Sequence, residues 1–155
     1  MRKHFAIFAI LAASALTGCA SLPSSSMSYV SSKITAPSDA SVMAYDAANY
    51  LTTALPPAKT TLILDPPQST QGNFLTPTLE AALRSKGYAV SELSKNPAPS
   101  TQAPKGVQLR YLVSPLDNGV LLRLQYQGIE AARFYPRAKD GALTDGAPFT
   151  VREAH

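Results

Sequence analysis

The chain has 155 residues, a formal net charge of +4 and one cysteine. That length suits one domain and is short for two. A single cysteine excludes an internal disulfide and any metal site built from paired cysteines. The only histidines are His4 and His155, close to the two ends, so neither is placed for general-base catalysis or metal binding.

The N-terminal residues are typical of an export signal. Basic residues 2–4 precede a mostly apolar stretch, residues 5–16, which is too short to cross a bilayer as a helix. The signal ends in Leu16, Thr17, Gly18 and Cys19, and this ending resembles the lipobox of bacterial lipoproteins. The resemblance implies cleavage before Cys19, an S-diacylglycerol on its thiol and an N-acyl group on the new amine. The alternative is an ordinary secretory signal in which the cysteine is incidental.

Removal of this signal peptide, residues 1–18, would leave 137 residues with 12 basic and 10 acidic side chains, a net charge of +2. So small an excess gives no case for nucleic-acid binding. Several acyl chains on one protein would hold it in a membrane essentially permanently. Ala20, and not an aspartate, follows the cysteine. In lipoproteins of enteric-type bacteria this favours the outer membrane, and we expect the domain to face the periplasm.

A serine-rich, nearly uncharged stretch connects the expected lipid to the rest of the chain. We expect residues 19–37 to be the lipidated N-terminus and a flexible tether, which typically spans about 20–25 Å. The remaining residues, 38–155, would form the periplasmic domain. Alternatively, the apolar residues between positions 27 and 34 form a short partner-binding strand.

Two segments have the spacing of amphipathic helices. The first begins at a cap on Ser38 or Asp39 and runs to about Ala54, with apolar residues at intervals of three and four. The second covers about residues 73–86, and Gly87 is well placed to end it.

Short apolar strands are predicted on both sides of the second helix, at residues 60–64 and 88–93, and a right-handed crossover would pair them in parallel. From residue 107 the apolar residues alternate, which predicts a β-meander with a hairpin turn at 116–119. Its strands cover residues 107–113, 120–126 and 129–135, with a short edge strand at 149–152. The expected fold is an α+β two-layer sandwich, in which two N-terminal helices alternate with two strands and a C-terminal antiparallel β-meander of three to four strands follows.

Residues that could carry chemistry are few. Asp65 and Glu80 are the nearest to a pair of catalytic carboxylates. However, Asp65 begins an Asp-Pro-Pro turn, and Glu80 falls on the solvent side of the second helix. Since the sequence also has no phosphate loop or nucleophile elbow, we expect no enzyme activity, no cofactor, no metal and no small-molecule substrate.

Two groups of residues could form protein-binding surfaces. The segment Arg133–Arg137 has an arginine at each end and contains Phe134 and Tyr135, and these residue types are enriched at the centres of interfaces. The alternative is an ordinary sheet surface. Leu112 and Leu121 fall opposite the main apolar face of the meander. If both are exposed, a partner or a loop should cover them.

Three further segments carry a family resemblance: residues 55–60, 79–90 and 133–153. The first is Leu-Pro-Pro-Ala-Lys-Thr, the second ends in Lys-Gly-Tyr-Ala-Val, and the third ends in Phe-Thr-Val-Arg-Glu. Together with the chain length and the early lipobox, they resemble TrbH, a family of conjugal transfer lipoproteins.

That resemblance implies a part in mating-pair formation by a type IV secretion system, which spans both membranes and moves DNA between cells. In such machines a small outer-membrane lipoprotein anchors a periplasmic ring of larger subunits. The expected partners are therefore ring proteins and, through the lipid, the membrane, whereas direct nucleic-acid binding is not expected. Cys19 is the only residue whose role can be carried over. A rival hypothesis is a periplasmic regulatory or binding lipoprotein that acts on cell-envelope enzymes.

Overall fold

The structure, a computed structural model, describes residues 27–34, 36–69, 71–93 and 105–153. The predicted signal peptide, the lipobox with Cys19, and residues 19–26 of the predicted tether lie outside the described residues. Within these ranges two helices pack on one face of a mixed, seven-stranded sheet. No helix in the described part of the chain is long and apolar enough to cross a membrane.

The helices are α1, Pro37–Ala54, and α2, Leu75–Ser85, and a short 3-10 turn, Pro57–Lys59, follows α1. The strands are β1 (Tyr29–Val30), β2 (Thr61–Leu64), β3 (Ala89–Glu92), β4 (Val107–Leu116), β5 (Gly119–Tyr126), β6 (Ile129–Pro136) and β7 (Thr150–Glu153). Across the sheet the order is β3-β2-β4-β5-β6-β7, and β1 pairs with β4 beyond the end of β2.

The sheet combines parallel and antiparallel pairs. β2 lies between β3 and β4 and is parallel to both, while β4 to β7 form an antiparallel meander. The α+β prediction is confirmed, including the parallel pairing of the two strands that flank α2. The predicted hairpin turn is confirmed as well, because Leu116 pairs with Gly119 across a two-residue loop in which Asp117 has φ 46°.

α1 buries its apolar stripe in the core, as the spacing predicts, but it begins differently. The cap predicted at Ser38 or Asp39 is wrong, since the helix starts at Pro37 and has no side-chain cap. Proline suits this position because its φ is already helical and its missing N–H would have had no partner. The Asp39 carboxylate is instead 2% exposed within the first turn, where it binds Arg137.

α2 is closed at both ends by local interactions. Asn73 Oδ1 accepts hydrogen bonds from the backbone N–H groups of residues 75–76. At the other end Gly87 has φ +90°, a left-handed conformation that a side chain would strain, so the predicted end of the helix is confirmed. The hydroxyl of the next residue, Tyr88, donates a hydrogen bond to the carbonyl oxygen of Leu55 (2.6 Å). This bond connects the turn to the end of α1.

The sequence assigns residues 27–34 to the flexible tether, and the structure corrects this. Ser28 donates its N–H to the carbonyl oxygen of Asp65 (3.3 Å), and its hydroxyl accepts the N–H of Tyr111 (3.0 Å). Ile34 is 6% exposed and belongs to the core. A serine-rich composition suggests a solvated linker. Here, however, the hydroxyl of Ser28 accepts the hydrogen bond from the β4 backbone that the backbone of a neighbouring strand would otherwise accept. The alternative of a short strand is correct, although β1 pairs within the chain.

Candidate docking face

The sheet has one covered face and one open face. Side chains alternate along each strand, and those of Leu109, Tyr111 and Val113 point into the core that both helices share. The intervening side chains therefore point to the other side, which we call the open face. It carries Tyr29, Arg110, Leu112, Ser114, Leu121, Arg123, Gln125, Glu130, Ala132, Phe134 and Arg152.

An apolar strip crosses the open face diagonally. Tyr29 pairs with Leu112, and Leu121, the diagonal neighbour of Leu112, pairs with Phe134. The ring of Phe134 lies over Gly119, where an added Cβ would come within 2.6 Å of a ring carbon. The two leucines and Phe134 are half-buried. The strip thus runs across β1, β4, β5 and β6, and the predicted position of both leucines opposite the core is confirmed.

A buried carboxylate lies at the β7 end of the open face. Glu130 is 5% exposed and accepts hydrogen bonds from Gln125 Nε2 (2.9 Å) and from Arg152 Nη2 (2.6 Å) and Nε (3.1 Å). The hydrogen bond from Gln125, and after it the Arg152 guanidinium, lower the pKa of Glu130 against the opposing effect of burial. This corner is therefore a closed polar network within the domain.

Arg123 lies at the centre of the open face. It is opposite Leu112 on one side and Ala132 on the other, and it is half-buried. Among the residues that the structure describes, it forms no ion pair, and its buried Nε has no hydrogen-bond partner. Its charge helps to lower the pKa of Glu130, and arginine is among the residue types enriched at the centres of protein interfaces. Our sequence reasoning missed Arg123, although it follows Leu121 by two residues in the same alternation.

The patch predicted at residues 133–137 is divided between the two faces of the sheet. Arg133 and Tyr135 point toward the helices and both bind Asp46 of α1, Arg133 through Nη1 (2.7 Å) and Tyr135 through its hydroxyl (2.5 Å). Only Phe134 reaches the open face. The prediction of a single patch is wrong because neighbouring residues of a strand point to opposite faces.

Two ion pairs, which we call the α1–β6 clasp, hold α1 to the end of the meander. Asp46 binds Arg133, and the buried Asp39 binds Arg137 Nη2 at 2.5 Å. Arg133 also donates from Nη2 to the carbonyl oxygen of Gly146 (3.1 Å) and so fixes the segment that leads to β7. Both arginines therefore stabilise the domain itself.

The two carboxylates considered for catalysis are each bound by an arginine. Asp65 Oδ2 lies 3.5 Å from Arg110 Nε, and Glu80 Oε1 lies 2.5 Å from Arg84 Nη2 on the next turn of α2. Burial raises the pKa of the Tyr111 hydroxyl, and the charges of both carboxylates add to that shift. Within the described ranges, no cluster of histidine, cysteine, aspartate or glutamate side chains could hold a metal ion.

A shallow cavity of about 220 Å³ lies between β1 and the turn that precedes α2. Residues 29–32 line one side, and Ser69 and residues 71–73 line the other, and this lining carries no charged side chain. Sequence reasoning did not predict the cavity because it exists only when β1 is paired to β4.

A family model described as conjugal transfer protein TrbH matches residues 23–154. No curated protein and no solved structure matches the chain. The family match spans all the strands and both helices of the described domain. This chain therefore belongs to the TrbH family of conjugal transfer proteins, as the resemblance in its sequence predicts.

Proposed function

We propose that this chain is a lipid-anchored, non-catalytic subunit of a conjugative transfer apparatus that docks a protein partner on its open face. Membership of a conjugal transfer family supports a place in such an apparatus. The lipobox-like ending at Cys19 supports a covalent anchor, and Ala20 supports the outer membrane, with the domain in the periplasm. The partner is a subunit of the periplasmic core of the type IV secretion system.

The observation that carries the docking role is the apolar strip with Arg123 beside it. Leu112, Leu121 and Phe134 are partly buried in the free domain and keep at most about a third of their surface in water, which a partner would remove. Full burial of such a side chain is worth about 1.5–3 kcal/mol, so covering the last third of three side chains supplies at most about 1.5–3 kcal/mol. A carboxylate of the partner on the accessible part of the Arg123 guanidinium would add charge-assisted hydrogen bonds.

Two substitutions on the open face test this docking role. Leu121→Asp places a charge in the apolar strip, and Arg123→Glu reverses the charge at its centre. Each should weaken partner binding about tenfold or more, which corresponds to about 1.4 kcal/mol, and should lower mating frequency. Val151→Asp is the matched control, because Val151 is 52% exposed on β7 and lies outside the strip. It should mate normally.

Mating at normal frequency by both open-face variants, in cells that contain normal amounts of folded protein, would refute docking on this face. A photocrosslinking amino acid in place of Phe134 identifies the partner. Crosslinks to transfer subunits support the proposal, and crosslinks only to cell-wall enzymes would favour the regulatory alternative.

The anchor is tested separately with Cys19→Ala. This variant should be missing from the outer-membrane fraction and should mate poorly. Normal mating without membrane attachment would contradict the anchoring role and leave the docking role to be judged on the open-face variants.

A further inference from the structure

We infer that the end of the domain formed by β1 and the turn before α2 rests on the phospholipid surface of the membrane. This inference depends on the lipid anchor proposed above and adds an orientation to it. The membrane-facing end, as we call it, comprises residues 27–34, 66–69 and 71–74. Tyr29 belongs both to this end and to the edge of the apolar strip. The rest of that strip extends over β5 and β6, so a partner seated on those two strands leaves Tyr29 to the bilayer.

The first argument is the length of chain between the anchor and the domain. Ser28 is fixed by hydrogen bonds to Asp65 and Tyr111, and only eight residues separate it from Cys19. At most about 3.3–3.6 Å per residue, this connection reaches about 30 Å when fully extended. A domain of this size is about 35 Å across. The distance from β1 to the lipid is therefore always smaller than the width of the domain.

The second argument is the character of the side chains at this end. Tyr29 is 53% exposed and Phe74 is 45% exposed, although both carry large apolar rings that are usually buried. Tyr29 lines the shallow cavity, and Phe74 directly follows Asn73 on the opposite side of the same cavity. A tyrosine favours the level of the lipid headgroups, because its ring is apolar and its hydroxyl can remain hydrated. Phenylalanine is among the residues that enter the lipid from proteins lying on a membrane surface.

The third argument is charge. Residues 27–34 and 66–74 contain no acidic residue, and their one charged side chain is Lys33, which is exposed. Contact with lipid headgroups therefore would not desolvate a carboxylate, and anionic lipids would attract the exposed ammonium group of Lys33. The neighbouring Asp65 is bound by Arg110 and is largely covered.

The chain contains no tryptophan, so single tryptophans can report the orientation directly. Tyr29→Trp and Phe74→Trp place the probe at the membrane-facing end. Val151→Trp is the control, because Val151 is as exposed as Tyr29 but lies on β7, four strands from β1 and about 19 Å away. Each lipidated variant is reconstituted into vesicles of phosphatidylethanolamine and phosphatidylglycerol in which the acyl chains are brominated near the headgroup.

Brominated lipid should quench the tryptophans at positions 29 and 74 about twofold or more relative to the one at position 151. Adding Lys33→Glu to the position 29 probe should reduce that quenching. Equal quenching at all three positions, in protein with normal circular dichroism, would overturn the inference. So would a photocrosslinker at position 29 that captures only protein in intact cells.

The intact mass of every sample separates this inference from the proposal on which it rests. Protein without acyl groups would contradict the anchor itself. Protein that carries the lipid but shows equal quenching at the three positions would contradict only the orientation.

Discussion

The α1–β6 clasp predicts a large loss of stability from one substitution, Asp46→Ala. Asp46 accepts hydrogen bonds from Arg133 Nη1 (2.7 Å) and from the Tyr135 hydroxyl (2.5 Å). Tyr135 is completely buried, so its hydroxyl would lose its acceptor without gaining access to water. Arg133 would lose its ion pair but keep the hydrogen bond to the carbonyl oxygen of Gly146.

The magnitude follows from these contacts. An unsatisfied buried hydroxyl costs about 1–3 kcal/mol. The side chain of Arg133 is 14% exposed and that of Asp46 is 22% exposed, so their ion pair is worth about 1 kcal/mol, between the surface and fully buried cases. Alanine regains about 0.5 kcal/mol through its higher helix propensity. We therefore expect Asp46→Ala to lower the free energy of unfolding by about 1.5–3.5 kcal/mol.

Urea unfolding followed by circular dichroism measures this change, and a double-mutant cycle with Tyr135→Phe assigns its cause. Since the double variant has no orphaned hydroxyl, its loss should be smaller than the sum of the single losses by about 1 kcal/mol or more. Asn49→Ala, at an exposed position of the same helix, is the control and should change the stability little. A loss under about 0.5 kcal/mol for Asp46→Ala, or strict additivity, would refute the reasoning.

Two further predictions concern the packing around the meander. A Cβ at Gly146 would lie 1.8 Å from the carbonyl oxygen of Phe134, so Gly146→Ala should destabilise the domain by about 1–3 kcal/mol in thermal unfolding, and an unchanged melting temperature would contradict the packing. Burial raises the pKa of Tyr111, Tyr126 and Tyr135 above the usual value of about 10. These hydroxyls remain protonated in the fold, so the free energy of unfolding should fall as the pH rises above 10, with ionisation and unfolding coinciding in absorbance titrations. Reversible ionisation of all three at pH 10 in folded protein would be inconsistent with their burial.

Much of the fold could be predicted because its signals are local. The alternation from Val107 to Tyr126 fixes which side chains meet the core, and the register confirms it. Gly87 ends α2 where its freedom to adopt a positive φ is needed. The strip of Leu112 and Leu121 was predictable for the same reason, since the position of a residue in a strand decides its face.

The remaining features depend on contacts between distant parts of the chain. Arg133 and Arg137 bind carboxylates that precede them by 87 and 98 residues, and no local pattern indicates such partners. The pairing of β1 depends on the hydroxyl of Ser28 meeting the N–H of Tyr111, 83 residues later. By its composition alone, that serine-rich segment resembles a linker. The cavity beside it could not be predicted either, because it forms only when β1 pairs with β4.

The measurement that tests the central claim most directly is the intact mass of the native protein extracted from donor-cell membranes, followed by mapping of its N-terminal peptide. The account predicts a chain that starts at Cys19 and carries a diacylglycerol on the sulphur and an acyl group on the amine. A chain that retains residues 1–18, or one with an unmodified Cys19 thiol, would contradict it.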